Sequence, residues 1–533
     1  VDHFTIFAFG NGMSASTAFI PSLQGFQTSA FTGAASYSYA MQVPSGPGGL
    51  QPTLQLSYSS AATDGRGGAR VGAQAGWVGK GWSLSAGGSV ARMRSPIAPD
   101  WDYYTFSFGG RSYDIIRGEL LPEYSGQTDL NPVKWSWYSV DEGDFLKVRA
   151  VDIGVPNEWN WLVWTKDGTR YEFTQRLHSS DTEQDYVYTW LLTQVVDIHG
   201  NRMDYWYGIY NSPNHATGQY QPAYYLSEIR WAFDGSLGSS WSRPIRLGNP
   251  RYRVVFSVAS RWASPTQGVD TLWEYPSAYW QTAVAHERYR LDRVTVQSNQ
   301  GSGFQTIRAY ALTYADAANS VQTDDFGGQK VLTLKQIQQL GSDESSTLPP
   351  TSLSYGMDKG TDWQQPRPPG WNRLIQADNG YGGRVTYSYE HSWLPTAGQT
   401  DYYDYSNYYR VNQLLRQDIN GYSSSALTTY AYTEPALNDE TYAATVLYAR
   451  YPTGGYGNSK SLLAHGEKSE FRGHSQVNQY DYDWVNGSWA LLRKTQRNFW
   501  QGDSEWCSVP IVNGEVDTSA QCWVDRVWRE GFK

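Results

Sequence analysis

The chain has 533 residues, a formal net charge of −9, and charged side chains at only 17% of positions. Its 24 Trp, 41 Tyr and 52 Gly favour strands joined by tight turns and exclude the aromatic-poor composition of disordered chains. The acidic balance, with no clustered basic stretch, excludes a nucleic-acid partner, and no run approaches the roughly eighteen apolar residues of a membrane-crossing helix.

The chain opens on Val1-Asp2-His3, with neither an initiator Met nor a signal peptide, as expected of a mature product or a piece of a longer one. Residues 1–30 read as a lead-in. Phe4 and Ile6 alternate with Phe7 and Phe9, so both faces of this strand are apolar and call for burial on both sides. The small-residue linker 10–17 follows. Such a strand on such a linker is expected to pair outside its own hairpin neighbourhood, as a donor strand.

Next comes a glycine-punctuated β pattern, Ser36 to Leu84. It contains Gly48-Gly49-Leu50-Gln51-Pro52, the alternating Leu54-Gln55-Leu56-Ser57-Tyr58-Ser59-Ser60, and Gly79-Lys80-Gly81-Trp82-Ser83-Leu84. Beyond residue 100, strands and turns alternate with no helical period. Hairpins are predicted at 101–111 around Gly109-Gly110, at 160–173 around Asp167-Gly168, and at 189–207 around His199-Gly200-Asn201. Two more are predicted at 374–389 around Gly382-Gly383 and at 414–432 around Asn420-Gly421. The last three share an order of apolar strand, Asp, Asn/Gly turn and Tyr-alternating strand, a degenerate repeat of irregular spacing. Residues 209–250, 342–350 and 364–370 read as loop insertions. The fold class expected is all-β, with long antiparallel sheets built from successive hairpins.

Chemistry is hard to find. The eight His are scattered without metal-ligand spacing. Neither a Gly-x-Ser-x-Gly elbow nor a phosphate-binding loop occurs. Asp481 to Gly487 lacks an oxygen ligand at Val485 and reads as an Asn486-Gly487 hairpin turn rather than a calcium loop. Asp141-Glu142-Gly143-Asp144 reads as an acidic turn rather than a paired-carboxylate site. Trp135-Ser136-Trp137 and Trp159-Asn160-Trp161 are either sugar-stacking platforms or packed strand faces, and alternate-position Trp favours packing. No catalytic residue, metal ligand or cofactor is expected. The two cysteines, Cys507 and Cys522, are either free thiols or a disulfide clipping the tail. The disulfide is the preferred reading, worth roughly 3 kcal/mol in the chain-entropy model, and with it a secreted or cell-surface location.

The Ser36–Leu84 block resembles the N-terminal region of SpvB-like proteins and the B components of Tc toxin complexes, in the Rhs/YD-repeat superfamily. The residues that carry the resemblance are Gly48, Gly49, Pro52, Tyr58, Gly79, Gly81 and Trp82. Further matches follow in order: Asp197 to Asn201 with Tyr205 and Tyr207, Pro349 to Tyr355, Asn379 to Gly383, and Glu470-Phe471-Arg472-Gly473. The resemblance implies three regions: lead-in and linker at 1–30, an SpvB-like β-sheet region at 31–360, and a YD-repeat-like region with its tail at 361–533. It implies a curved β-ribbon that winds into a hollow shell, which in toxin members encloses a toxic segment. Here the sequence stops soon after Gly473, so a partial shell with unpaired edges is expected. The function expected is a secreted, non-catalytic module that assembles through sheet edges with copies of itself or with chains of a surface or toxin assembly. A toxin-encapsulating shell fragment is the alternative, and a glycan-binding protein a third.

Overall fold

The computed structural model describes residues 23, 25–64, 75–94, 102–125, 131–139, 145–156, 158–179, 186–210, 223–239, 244–261, 289–315, 331–358, 368–392, 409–420, 425–437 and 471–501, with short pieces of the tail at 504–507, 511–512, 515–516, 522–525 and 530–532. These residues are almost entirely antiparallel β structure. The predicted donor strand with Phe4, Ile6, Phe7 and Phe9, the acidic turn at 141–144 and Glu470 lie outside the described residues.

Three parts follow one another along the chain. The first is a four-stranded sheet of β1 (Phe26–Thr28), β2 (Ala35–Met41), β3 (Leu54–Ser59) and β4 (Trp82–Ser85), paired in that order. It is built from the glycine-punctuated block, whose alternating residues Leu54, Leu56 and Tyr58 are buried.

The second part is a ring. Its strands are β5 (Ser89–Arg94), β6 (Asp102–Phe108), β7 (Arg111–Leu120), β8 (Trp135–Ser139), β9 (Lys147–Asp152), β10 (Trp159–Trp164), β11 (Arg170–Ser179) and β12 (Tyr186–Val196). Each pairs with the next, and β12 pairs back to β5 through Thr189↔Ala91, Trp190↔Val90 and Leu191↔Ser89. Aromatic rings fill its centre. Trp161 lies 4.6 Å from Tyr104, 5.2 Å from Trp137 and 5.3 Å from Phe106 between ring centroids. Contacts between strands that are not neighbours require these side chains to point inward. Of the two readings of these tryptophans, this is the packed strand face. Trp137, Trp159 and Trp161 are buried, and the indole N–H groups of Trp137 and Trp190 donate to the carbonyls of Pro132 and Trp159.

The third part is a ribbon that leaves the ring at β12. It runs through β13 (Arg202–Tyr210) and β14 (Ala223–Phe233), bypasses a small hairpin of β15 (Leu237–Gly238) and β16 (Ile245–Arg246), and continues through β17 (Pro250–Ser260), β18 (Tyr289–Asn299), β19 (Phe304–Tyr314) and β20 (Leu334–Leu340). Then come β21 (Thr351–Tyr355), β22 (Leu374–Asp378), β23 (Gly383–His391), β24 (Tyr409–Asp418), β25 (Ser425–Leu437), β26 (Phe471–Val485) and β27 (Ser488–Gln501). The five predicted hairpins are all present, as is the Asn486-Gly487 turn, which links Val485 to Ser488. The loop reading of 209–250 was wrong for β14. Pro- and Asn-rich flanks hid an eleven-residue strand that buries Tyr225, Leu226, Ile229 and Trp231.

The ribbon has two unlike faces. Alternate residues such as Val254, Val294, Leu312, Ile337, Leu374, Val385 and Val411 join one apolar core with the first sheet. The intervening positions form polar rungs. Glu172, Gln194, Asp204, Arg230, Arg253, Gln297 and Thr306 stand opposite one another strand by strand from β11 to β19. Gln194 donates to Asp204 at 2.9 Å and Arg253 to Gln297 at 2.6 Å.

The tail forms β28 (Ser504–Cys507) paired with β31 (Cys522–Asp525), a hairpin of β29 (Ile511–Val512) and β30 (Glu515–Val516), and β32 (Glu530–Phe532) against Phe499–Gln501 of β27. The backbone register sets Cys507 opposite Cys522.

Candidate functional site

The repeat seen dimly in the sequence has a geometric rule. In five hairpins of the ribbon, a tyrosine on the returning strand donates its hydroxyl to an aliphatic residue's carbonyl on the outgoing strand. The pairs are Tyr207 to Leu192 at 2.8 Å, Tyr314 to Leu291 at 2.7 Å, Tyr355 to Leu334 at 2.9 Å, Tyr389 to Leu374 at 2.7 Å and Tyr432 to Val411 at 2.7 Å. Each accepting residue stands two positions before the first ladder pair, which starts at Gln194, Arg293, Gln336, Gln376 or Gln413. Each tyrosine stands three positions after that residue's partner. The strands therefore part at the same place in every hairpin, and the phenol bridges the gap. Burial holds all five phenols well above the ordinary tyrosine range, so they remain donors.

The far end of each hairpin is closed by an Asn or Asp that accepts from backbone N–H groups of its turn, as turn chemistry predicts. Asp197 accepts from His199 and Asn201, Asn299 from Gly301, Asp343 from Ser345 and Ser346, Asn379 from Tyr381 and Gly383, and Asp418 from Asn420. The sequence reading found three of these five units. It missed β18–β19 and β20–β21, although Leu-x-Gln or Val-x-Gln opens four of the five and was a usable signal.

The glycine-punctuated sheet docks on this row of tyrosines. Trp82 donates its indole N–H to the Tyr355 hydroxyl at 2.8 Å, and the Tyr58 hydroxyl accepts from the Leu374 N–H at 2.9 Å. Tyr387 donates to the carbonyls of Gln27 and Ser36, Arg416 to that of Phe26, and the Gln42 N–H to the Tyr310 hydroxyl. Backbone bonds join Lys80 to Leu332, Val411 to Gly33 and His474 to Phe31. Beneath the sheet, fully buried Arg373 pairs with Asp64 and stacks over Tyr409 at 4.3 Å. Burial nonetheless raises the Asp64 carboxyl above its usual range.

Each motif residue named from sequence, apart from Glu470 outside the described residues, thus has a place. The Gly48-Gly49 turn abuts Asp197 and Asn201, Pro52 is buried, and Gly79 backs onto the Leu332 carbonyl. Gly81, at φ +78°, has the Tyr58 ring 2.7 Å from where a Cβ would sit, so no other residue fits. Gly473, at φ +77°, lies directly under the Phe31 ring. Phe471 and Arg472 begin β26, with Phe471 opposite Leu437. The structure therefore brings most of the motif together as a brace against the ribbon. Among the described residues, no three His, Cys, Asp or Glu are grouped as a metal site.

The ribbon ends at β27. It pairs with β26 on one side, and on the other only Phe499–Gln501 have a strand partner among the described residues. Leu492 is the extra residue of a bulge between Leu491↔Tyr482 and Arg493↔Asp481. Leu491 is 54% exposed and Leu492 67%, and Trp484, Val485 and Trp489 beside them are also exposed.

No protein-family model and no curated protein matches this chain. Solved structures do. The N-terminal domain of the effector protein SpvB from Salmonella typhimurium strain LT2 aligns at 16% identity over 57% of this chain and 98% of that one, with a TM-score of 0.40. The Tc holotoxin pore of Photorhabdus luminescens aligns at 14% identity over 89% of this chain and 24% of that one, at 0.43. TcdB2-TccC3 aligns at 10% identity over 90% of this chain, at 0.53, and it is this likeness that establishes a shared fold. The chain spans 38% of the length of TcdB2-TccC3.

Proposed function

We propose that the chain is a secreted, non-catalytic structural module that joins other chains through the open edge of its ribbon. The observation that carries the reading is the ribbon itself, from β12 to an apolar edge at β27 whose residues Ser488–Asn498 have no strand partner on that side among the described residues. Unpaired edges are templates for further strands. The groups gathered around the motif bond one strand to another, which supports a structural role. Cys507 opposite Cys522 supports an oxidising compartment, where a disulfide would close the tail.

The fold shared with TcdB2-TccC3 favours a more specific version, in which the module is a wall segment of a toxin-complex-type shell. The partner is then a separate chain that continues the wall. The test is recovery from the native source. The chain is expected in a larger particle, and Leu491→Asp with Leu492→Asp is expected to release it as a folded monomer. A natively monomeric chain, or a particle indifferent to those substitutions, overturns the reading.

A further inference from the structure

One corner of the first sheet meets the ribbon over two matching clusters of side chains. The corner is the turn between β1 and β2, at 29–34, tied to the short helical turn Ser60–Thr63 by the Ala35 N–H, which donates to the Ser60 hydroxyl at 2.9 Å. In the first cluster, Tyr409 of β24 has the Arg373 guanidinium 4.3 Å from its ring centre and the His391 ring at 4.7 Å, tilted. In the second, Tyr432 of β25 has the Arg410 guanidinium at 4.7 Å and the His474 ring at 4.7 Å, also tilted. Each cluster touches the corner. Asp64, directly after Thr63, pairs with Arg373 and accepts from the Tyr409 N–H. Gly33 lies against the Arg410 side chain, the Val411 N–H donates to the Gly33 carbonyl at 2.8 Å, and the His474 N–H donates to the Phe31 carbonyl at 3.0 Å.

Each histidine thus shares a tyrosine with a permanent cation, beneath part of the first sheet. An imidazolium in either place stands near a guanidinium with little water to screen the two. The acids that face the clusters among the described residues are Asp64 on Arg373 and Glu390, which pairs with Arg410 at 2.6 Å. We propose that this corner is an acid-released contact, in which His391 and His474 take up protons as the turn at 29–34 and Asp64 lift from β24–β26. Lifting bares Tyr409 and Tyr432 and leaves the ladders from β23 to β26 paired.

The sign follows from the two imidazoles. Burial and Arg373 outweigh Glu390 and hold His391 below its ordinary range, while burial and Arg410 push His474 down to about 3. In the lifted form both return to an ordinary value near 6.5. The lifted form then binds protons that the seated form refuses, so seating is strongest above pH 6.5 and weakens as the pH falls toward 3. Asp64 acts in the opposite sense, because burial raises its carboxyl and its own proton favours the seated form. Two imidazoles oppose that one carboxyl, and the balance falls to release.

The test is hydrogen exchange of the amides at positions 411 and 474, corrected for the intrinsic rate at each pH, in the full chain and in His391→Gln/His474→Gln. Between pH 7.5 and 4.5 the native chain is expected to lose at least about tenfold more protection at these two amides than the variant does. The amides of Val294 and Val296 in β18 are expected to hold theirs, which separates release of the corner from unfolding. His391→Phe/His474→Phe is the second neutral pair and is expected to behave as the Gln pair does. Protection at 411 and 474 that does not fall in the native chain overturns the proposal. So does an equal fall in the variants, or an equal fall in β18. None of these outcomes depends on whether a larger particle forms, so the assembly reading stands or falls separately.

Discussion

Tyr355 sits where two sets of bonds meet. Its hydroxyl donates to Leu334 across the parted strands β20 and β21 and accepts from Trp82 of the first sheet. Tyr355→Phe keeps the packing and removes the link, leaving a buried carbonyl and a buried indole N–H without that partner. The expected loss is about 1–3 kcal/mol in urea unfolding, whereas Tyr138→Phe on the exposed surface should change nothing measurable. His474 makes a second residue-level prediction. It is buried, packed at a tilt against Tyr432 and close to Arg410, and both burial and that guanidinium push its imidazole down to about 3 from an ordinary 6.5. The unfolded chain therefore binds a proton that the folded chain refuses. This contribution to stability is fully present above pH 6.5 and is lost as the pH falls toward 3. A thermal-unfolding series over that window should show a steeper decline for the native chain than for His474→Phe.

At the scale of elements, the hairpins were legible because their signals are local. Asn379, Asp418 and Asp197 announce turns, and period-two alternation announces the strands beside them. Three things were not legible. Closure of the ring by β12 on β5 joins residues about a hundred positions apart and leaves no mark in either strand. Strand β14 was hidden by the composition of its flanks. The docking of Tyr58 and Trp82 on Leu374 and Tyr355 spans more than 270 positions, so the glycine-punctuated block could be recognised as a unit without its purpose being visible. That purpose is to brace the ribbon. The tail offers a check of its own. With Cys507 opposite Cys522 in register, alkylation of the native protein is expected only after reduction. Labelling of both thiols without a reductant would show that the strand pairing alone closes the tail.

At the scale of the whole molecule, a ring packed with aromatic rings anchors one end of a ribbon, and the other end is β27, whose outer side is paired only at Phe499–Gln501 among the described residues. Between them the five tyrosine bridges and the docked first sheet fix the spacing of strands. The face with polar rungs is left unlike the face with the core. On the proposed function, the molecule grows outward from β27. Electron microscopy of the native particle tests this most directly. The account predicts a partner strand continuing the sheet along Ser488–Asn498, with the first sheet still seated on the tyrosine row. A particle joined through the ring or the polar rungs, with β27 facing solvent, would contradict it.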